Sequence, residues 1–189
     1  MAEYRCCGAR DMAPIGRREA LCVALGAAGA LVSAPRAAVA EAREMPPQPQ
    51  DEDFMRLALA EAAKGDFPFG AVIVRAGQVL AKGRNLGKAS NDPTAHGEMM
   101  AIRAFVAKRP AAELAGTALY TSGEPCPMCM SAIIWCGIGR VIFAASIEEL
   151  AKKIGQIMVS SRSIAVAAPF ASVAITGGVL SAEALALFD

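Results

Sequence analysis

The chain has 189 residues and a mass of 19.5 kDa, enough for one domain with a packed core and too little for a second of similar size. Nineteen Lys and Arg against eighteen Asp and Glu leave a net charge of +1, which argues against the strongly basic surface of a phosphate-tracking nucleic-acid binder. Hydrophobic residues make up 54%, yet outside residues 20–40 no apolar run approaches the roughly 20 residues that span a bilayer.

The first forty residues read as an export signal. Arg17-Arg18 is followed by an apolar stretch from Ala20 to Ala34 and by small residues ending in Ala38-Val39-Ala40, the charged, apolar, Ala-x-Ala order of such segments. The paired arginines resemble the twin-arginine variant, although Gly16 and Ala20-Leu21 depart from its usual flanks. Residues 1–40 are therefore expected to be a signal peptide, with Met12 as an alternative start, and the mature protein to be periplasmic. The alternatives are an alanine-rich segment of a cytoplasmic protein and an uncleaved membrane anchor. Residues 41–50, with Pro46-Pro-Gln-Pro-Gln50, read as a linker, and 51–189 as the domain.

The domain's elements alternate. Asp51 to Lys64 carries apolar residues at Phe54, Leu57, Ala58 and Ala62 and reads as an amphipathic helix. Residues 71–75 and 78–82 are two strands around Ala76-Gly77, a hairpin signal. Helix is expected over 94–108, strand over 117–121, helix over 127–136, strand over 140–145, helix over 146–153, strand over 172–176 and helix over 180–188. The stretch 155–169 is ambiguous. Strands alternating with helices after a hairpin predict an α/β fold with a mixed sheet.

Six cysteines stand at positions 6, 7, 22, 126, 129 and 136, a layout unlike a disulfide framework. The single histidine lies in Asp92-Pro-Thr-Ala-His96-Gly-Glu98, and downstream stands Glu124-Pro-Cys126-Pro-Met-Cys129. Together they make the His-x-Glu and Pro-Cys-x-x-Cys signature of zinc deaminases. Taken singly, the histidine would more often be an ordinary polar residue and the Cys-x-x-Cys a redox pair. Taken jointly, His96, Cys126 and Cys129 are the expected ligands of one Zn2+ per chain, with a fourth position left for water. A structural site would need another ligand, and Cys136, two helical turns past Cys129, is too far.

Two thiolates cancel the charge of the ion, so its water should be less acidic than in an all-histidine site and a base is needed. Glu98 is the candidate to take the water's proton and pass protons to the ring nitrogen and the departing ammonia.

These motifs, with Phe67-Pro-Phe-Gly-Ala-Val-Ile-Val, Gly83-Arg-Asn85 and Ile138-Gly-Arg-Val-Ile-Phe143, resemble the cytidine deaminase superfamily, in the branch of guanine deaminases and tRNA adenosine deaminases. The resemblance covers most of residues 53–188. It implies a three-layer α/β/α fold on a five-stranded sheet, hydrolytic deamination and a homodimer. It also implies that Asn85 hydrogen-bonds the base and that Phe67 packs on it. Trp135, on the helix after the cysteines, leans toward guanine deaminases and is a third candidate substrate contact. Gly97 departs from the usual His-Ala-Glu, and His-Gly-Glu resembles fungal cytosine deaminases.

The expected substrate is a free nucleobase or nucleoside, guanine or another purine foremost. The alternatives are cytosine or cytidine, the adenosine of a tRNA, and a zinc-stabilised nucleobase-binding module without catalysis. From Ser163 to Asp189 there is no Lys or Arg, so the basic tail of a tRNA binder is missing. Residues 154–170 match no recognisable substrate-closing segment.

Overall fold

The structure is a computed structural model and describes residues 43–189. The export-signal expectation falls outside the described residues. Among those described, no helix is long and apolar enough to cross a membrane.

Six strands and six α-helices follow in order: β1 Arg43–Glu44, α1 Asp51–Ala62, β2 Gly70–Arg75, β3 Gln78–Arg84, α2 Gly97–Val106, β4 Ala118–Gly123, α3 Pro127–Trp135, β5 Arg140–Ala145, α4 Ile147–Leu150, α5 Ser161–Val166, β6 Ala174–Thr176 and α6 Ser181–Leu185. The strands form one mixed sheet in the order β1-β6-β5-β4-β2-β3. β2 is antiparallel to β3 and β4, while β4, β5, β6 and β1 run parallel.

Side-chain alternation along the strands builds the layers. Ala71, Ile73, Leu119, Val141 and Phe143 face one side and pack on Ile102 and Phe105 of α2, Met130, Ile133 and Ile134 of α3, and Ala165 of α5. Val72, Val74, Tyr120, Ile142 and Ala144 face the other and pack on Met55, Ala58 and Leu59 of α1 and Ala184 of α6. The result is the three-layer α/β/α arrangement that the family resemblance implies. The hairpin turn also holds: Ala76 and Gly77 both have positive φ, 48° and 77°, the geometry that matches strand twist in a two-residue turn.

The strand count is corrected and the ambiguous stretch is resolved. The sheet has six strands rather than five, because residues read as linker add an edge strand: Arg43 N–H donates to the Val173 carbonyl at 3.2 Å and Met45 N–H to that of Ile175 at 2.9 Å. The rest of that segment is tied down as well, Gln48 N–H donating to Asp51 Oδ2 at 2.7 Å. A two-residue strand has no sequence period, so composition alone reads it as linker. The ambiguous stretch also acquires a helix, α5, whose start is capped by Ser160 accepting from the Ser163 N–H.

Asp51 binds the layers together. Its carboxylate accepts from Arg140 Nη1 and Nη2 at 2.8 and 2.7 Å and from the Tyr120 hydroxyl at 3.0 Å. Arg140 also donates to Thr176 Oγ1 at 3.0 Å, so one fully buried carboxylate links α1 to β4, β5 and β6.

Candidate active site

Two helices, α2 and α3, each begin on a ligand residue. His96 is the N-cap of α2 with extended backbone, φ −69° and ψ 159°. Cys126 is the N-cap of α3, φ −61° and ψ 166°, with Pro127 at the first helical position, where its missing N–H costs nothing. α2 was expected from Thr94 but starts at Gly97. The reason is a side-chain turn, in which Asp92 Oδ1 accepts from Thr94 N–H and Oγ1 at 2.8 and 2.6 Å. Arg103 braces it from the next turns of α2, donating to Asp92 Oδ2 at 2.9 Å.

Cys129 lies one turn into α3, on the face it shares with Cys126. The Nδ1 of His96 is 3.7 Å from the Cys126 Sγ and 3.6 Å from the Cys129 Sγ, and all three donor atoms lie within 4.8 Å of one another. Zinc–sulfur bonds of about 2.3 Å and zinc–nitrogen bonds of about 2.0–2.1 Å at a tetrahedral angle would set N and S about 3.6 Å apart. The donor set therefore fits zinc in both chemistry and spacing.

The three ligand groups perturb one another's titration in opposite directions. The hydrogen bond from Cys129 holds the Cys126 thiol down to about 4, against the opposing effect of burial, with His96 helping. The same bond, together with burial, pushes Cys129 up. The bond to Cys126 raises His96, burial opposing.

Glu98 is the second residue of α2 and only 4% exposed. Burial pushes its carboxyl up; its own backbone N–H opposes this, and the charge of Cys126 adds to it.

His96, Glu98 and Cys126 open onto a cavity of about 720 Å3 that Phe67 and Asn85 also line. Asn85 is 5% exposed, its backbone N–H donating to the Phe69 carbonyl at 2.8 Å and its Oδ1 accepting from Gly87 N–H at 3.1 Å. Phe67 is 38% exposed, with the Lys88 ammonium 4.7 Å from the ring centroid. The loop that presents Phe67 is held by Ser122, whose hydroxyl accepts from Gly70 N–H at 3.1 Å and donates to the Pro68 carbonyl at 3.2 Å.

The structure brings five of the six predicted residues other than Cys129 into this cavity wall or its mouth, and it leaves the sixth, Trp135, elsewhere. Trp135 closes α3, is 73% exposed and stacks on Phe170 at 5.0 Å. Nine residues of helix carry it about 13 Å from Cys126, so within one chain it does not line the cavity.

Sequence reading also missed residues that do line it: Phe69, Lys88, Glu124, and Ile154 to Ile157. Glu124 stands two residues before Cys126, where the motif alone does not show its role. Its carboxylate is a structural tie: Oε2 accepts from Ile147 N–H at 3.0 Å, and Oε1 from the N–H and hydroxyl of Ser161, both at 2.8 Å.

Comparison with known proteins agrees with this geometry. The profile of the cytidine and deoxycytidylate deaminase zinc-binding region matches residues 48–145. The chain is 43% identical over 106 residues to the guanine deaminase of Bacillus subtilis, covering 53% of this chain and 68% of the relative. It is 41% identical over 98 residues to the tRNA-specific adenosine deaminase of Aquifex aeolicus, covering 50% of this chain and 65% of the relative. The solved structure of a guanine deaminase from Nitrosomonas europaea superposes with a TM-score of 0.63 at 26% identity, covering 79% of this chain and 87% of that one. With its zinc-ligand cluster and its fold both in agreement, the chain belongs to the cytidine and deoxycytidylate deaminase family of zinc-dependent deaminases.

Proposed function

We propose that the protein hydrolytically deaminates a free nucleobase or nucleoside, with guanine or another purine ahead of cytosine and cytidine. The observation that carries this reading is the buried Glu98 carboxyl, which opens onto the same cavity as the zinc ligands. A zinc-stabilised binding module has no need of a carboxyl there, since burying one without function only costs stability.

When bound, zinc with three protein ligands keeps a position for water and lowers that water's pKa. Glu98, raised by burial, is then suited to take a proton and return it. In the forward direction its carboxylate takes a proton from the attacking water as the carbon–oxygen bond forms, and hands it to the adjacent ring nitrogen. It then carries the remaining hydroxyl proton to the exocyclic amine, the carbon–nitrogen bond breaks, and ammonia leaves. The carboxylate is restored at the end.

Asn85 supports base binding in a defined sense. A backbone N–H can only donate, so the bond from Gly87 turns the Asn85 oxygen away and leaves its NH2 as a donor for an acceptor on the base. Phe67 offers one ring face to the base, with Lys88 on the ring as well.

A tRNA substrate is the second reading, favoured by the likeness to tRNA-specific adenosine deaminases. The net charge of +1 and the single cationic side chain, Lys88, among the cavity-lining residues favour the small substrate. Ammonia release from guanine, adenine, adenosine, cytosine and cytidine, compared with inosine formation in tRNA, tests the choice. Guanine turnover without tRNA editing supports the lead reading, and tRNA editing alone overturns it.

We further propose a homodimer and export to the periplasm through residues 1–40. Sedimentation of the purified protein tests the first. Cell fractionation tests the second: mature protein found only in the cytosol with residues 1–40 intact would contradict it.

A further inference from the structure

Most polar groups around the cavity already have partners. The Asn85 oxygen is held by Gly87 N–H, both Glu124 oxygens are taken by Ile147 and Ser161, and Lys88 lies over Phe67. His96 and Cys126 belong to the zinc site and Glu98 moves protons. Asn91 is exposed at the rim. Gln156 is different: it lines the cavity, is half-buried between exposed neighbours, and its amide has no hydrogen-bond partner among the described residues.

The wall that carries Gln156 is anchored at both ends by one carboxylate. Before it, α4 begins at Ile147, whose N–H donates to Glu124 Oε2; after it, α5 begins at Ser161, which donates to Oε1. Between these ties Ile157 and Met158 are largely exposed, 64% and 61%. A segment with both ends fixed that keeps an amide half-buried in the wall of the cavity shared with Glu98 and the metal ligands has the build of a recognition element.

A primary amide presents an acceptor and a donor side by side. Its planar complement is an edge with one donor next to one acceptor, such as the N–H/C=O pair of a lactam. Guanine carries that pair beside its amine-bearing carbon, cytosine carries one across its ring, and adenine has no carbonyl. Resting on the nucleobase-deaminase reading above, we propose that Gln156 is a specificity-determining residue that reads the lactam edge of the base, selecting amino-oxo bases over adenine.

The test uses the full chain loaded with zinc, and the variants Gln156→Ala and Gln156→Glu. Guanine turnover is compared with the binding of fluorescent 2-aminopurine, which keeps the 2-amine and lacks the carbonyl. Gln156→Ala is expected to lower kcat/KM for guanine about 10- to 100-fold, mostly through KM, while the Kd for 2-aminopurine changes less than about threefold. Gln156→Glu keeps an acceptor for the lactam N–H and loses the donor for its carbonyl, so it should lie between wild type and alanine on guanine. Unchanged guanine kinetics, or parallel weakening of both ligands, would overturn the proposal, as would a wild type faster on adenine than on guanine. A wild type that releases ammonia from no base refutes the underlying reading instead, so the two failures are distinct.

Discussion

Gly97 lies so close to Gly70 that a Cβ at position 97 would stand 3.0 Å from the Gly70 Cα and 2.9 Å from the Phe69 carbonyl oxygen. Both contacts are backbone, which cannot swing aside as a side chain would. The glycine between the metal ligand and the proton carrier is therefore a packing requirement where α2 meets the start of β2, and its likeness to cytosine deaminases says nothing of the base. Gly97→Ala should cost about 1–3 kcal/mol of stability and also lower kcat, since relief requires moving His96 or Glu98. Thermal unfolding and ammonia release on the zinc-loaded variant check this; a variant of unchanged stability would show that α2 can shift freely.

Removing the metal should loosen the same junction. The two helix starts bring His96, Cys126 and Cys129 to one point, so chelation is expected to lower the unfolding midpoint. Saturating zinc at about 100 times its Kd should add about 2.7 kcal/mol. Cys129→Ser should lose most of that increment. Calorimetry with and without chelator measures it, with zinc content of the variant read by elemental analysis.

Asp51 makes stability depend on pH in one direction. Burial alone would raise its pKa, but the hydrogen bonds from Arg140, the Gln48 N–H and Tyr120, with the charge of Arg140, outweigh burial and hold it below the ordinary 3.8. A carboxyl whose pKa falls on folding stabilises the protein above its unfolded pKa and loses that contribution as pH drops through the folded value. The stability of the wild type should thus fall as pH drops from about 4, and Asp51→Asn should flatten that limb. Asp51→Ala should cost about 3–5 kcal/mol at neutral pH by leaving Arg140 unpaired. Urea unfolding at several pH values checks both.

The parts of the fold that were legible in the sequence are those where chemistry or period is local. The apolar run Ala71-Val-Ile-Val before the Ala76-Gly77 turn marks β2, and the spacing of Phe54, Leu57, Ala58 and Ala62 marks α1 as a helix, although Met55 and Leu59 are the residues it buries beside Ala58 and Ala62. The zinc ligands were legible because the His-x-Glu and Cys-x-x-Cys spacings each place their groups within one helical turn. What was not legible depends on contacts between segments far apart. β1 exists only because Arg43 and Met45 find β6, and the cavity wall at Gln156 exists only because Glu124 reaches Ser161. Trp135, a contact only the family resemblance suggested, closes the helix that Cys126 caps, and helix length carries it away from the cavity of its own chain.

The central claim is that Glu98 moves the protons of a zinc-dependent deamination. Its most direct test is ammonia release from guanine by the zinc-loaded full chain and by Glu98→Ala, with zinc measured in both. The account predicts equal zinc content and a loss of turnover of about 100- to 10,000-fold in the variant. Undiminished ammonia release by Glu98→Ala with zinc retained would contradict it.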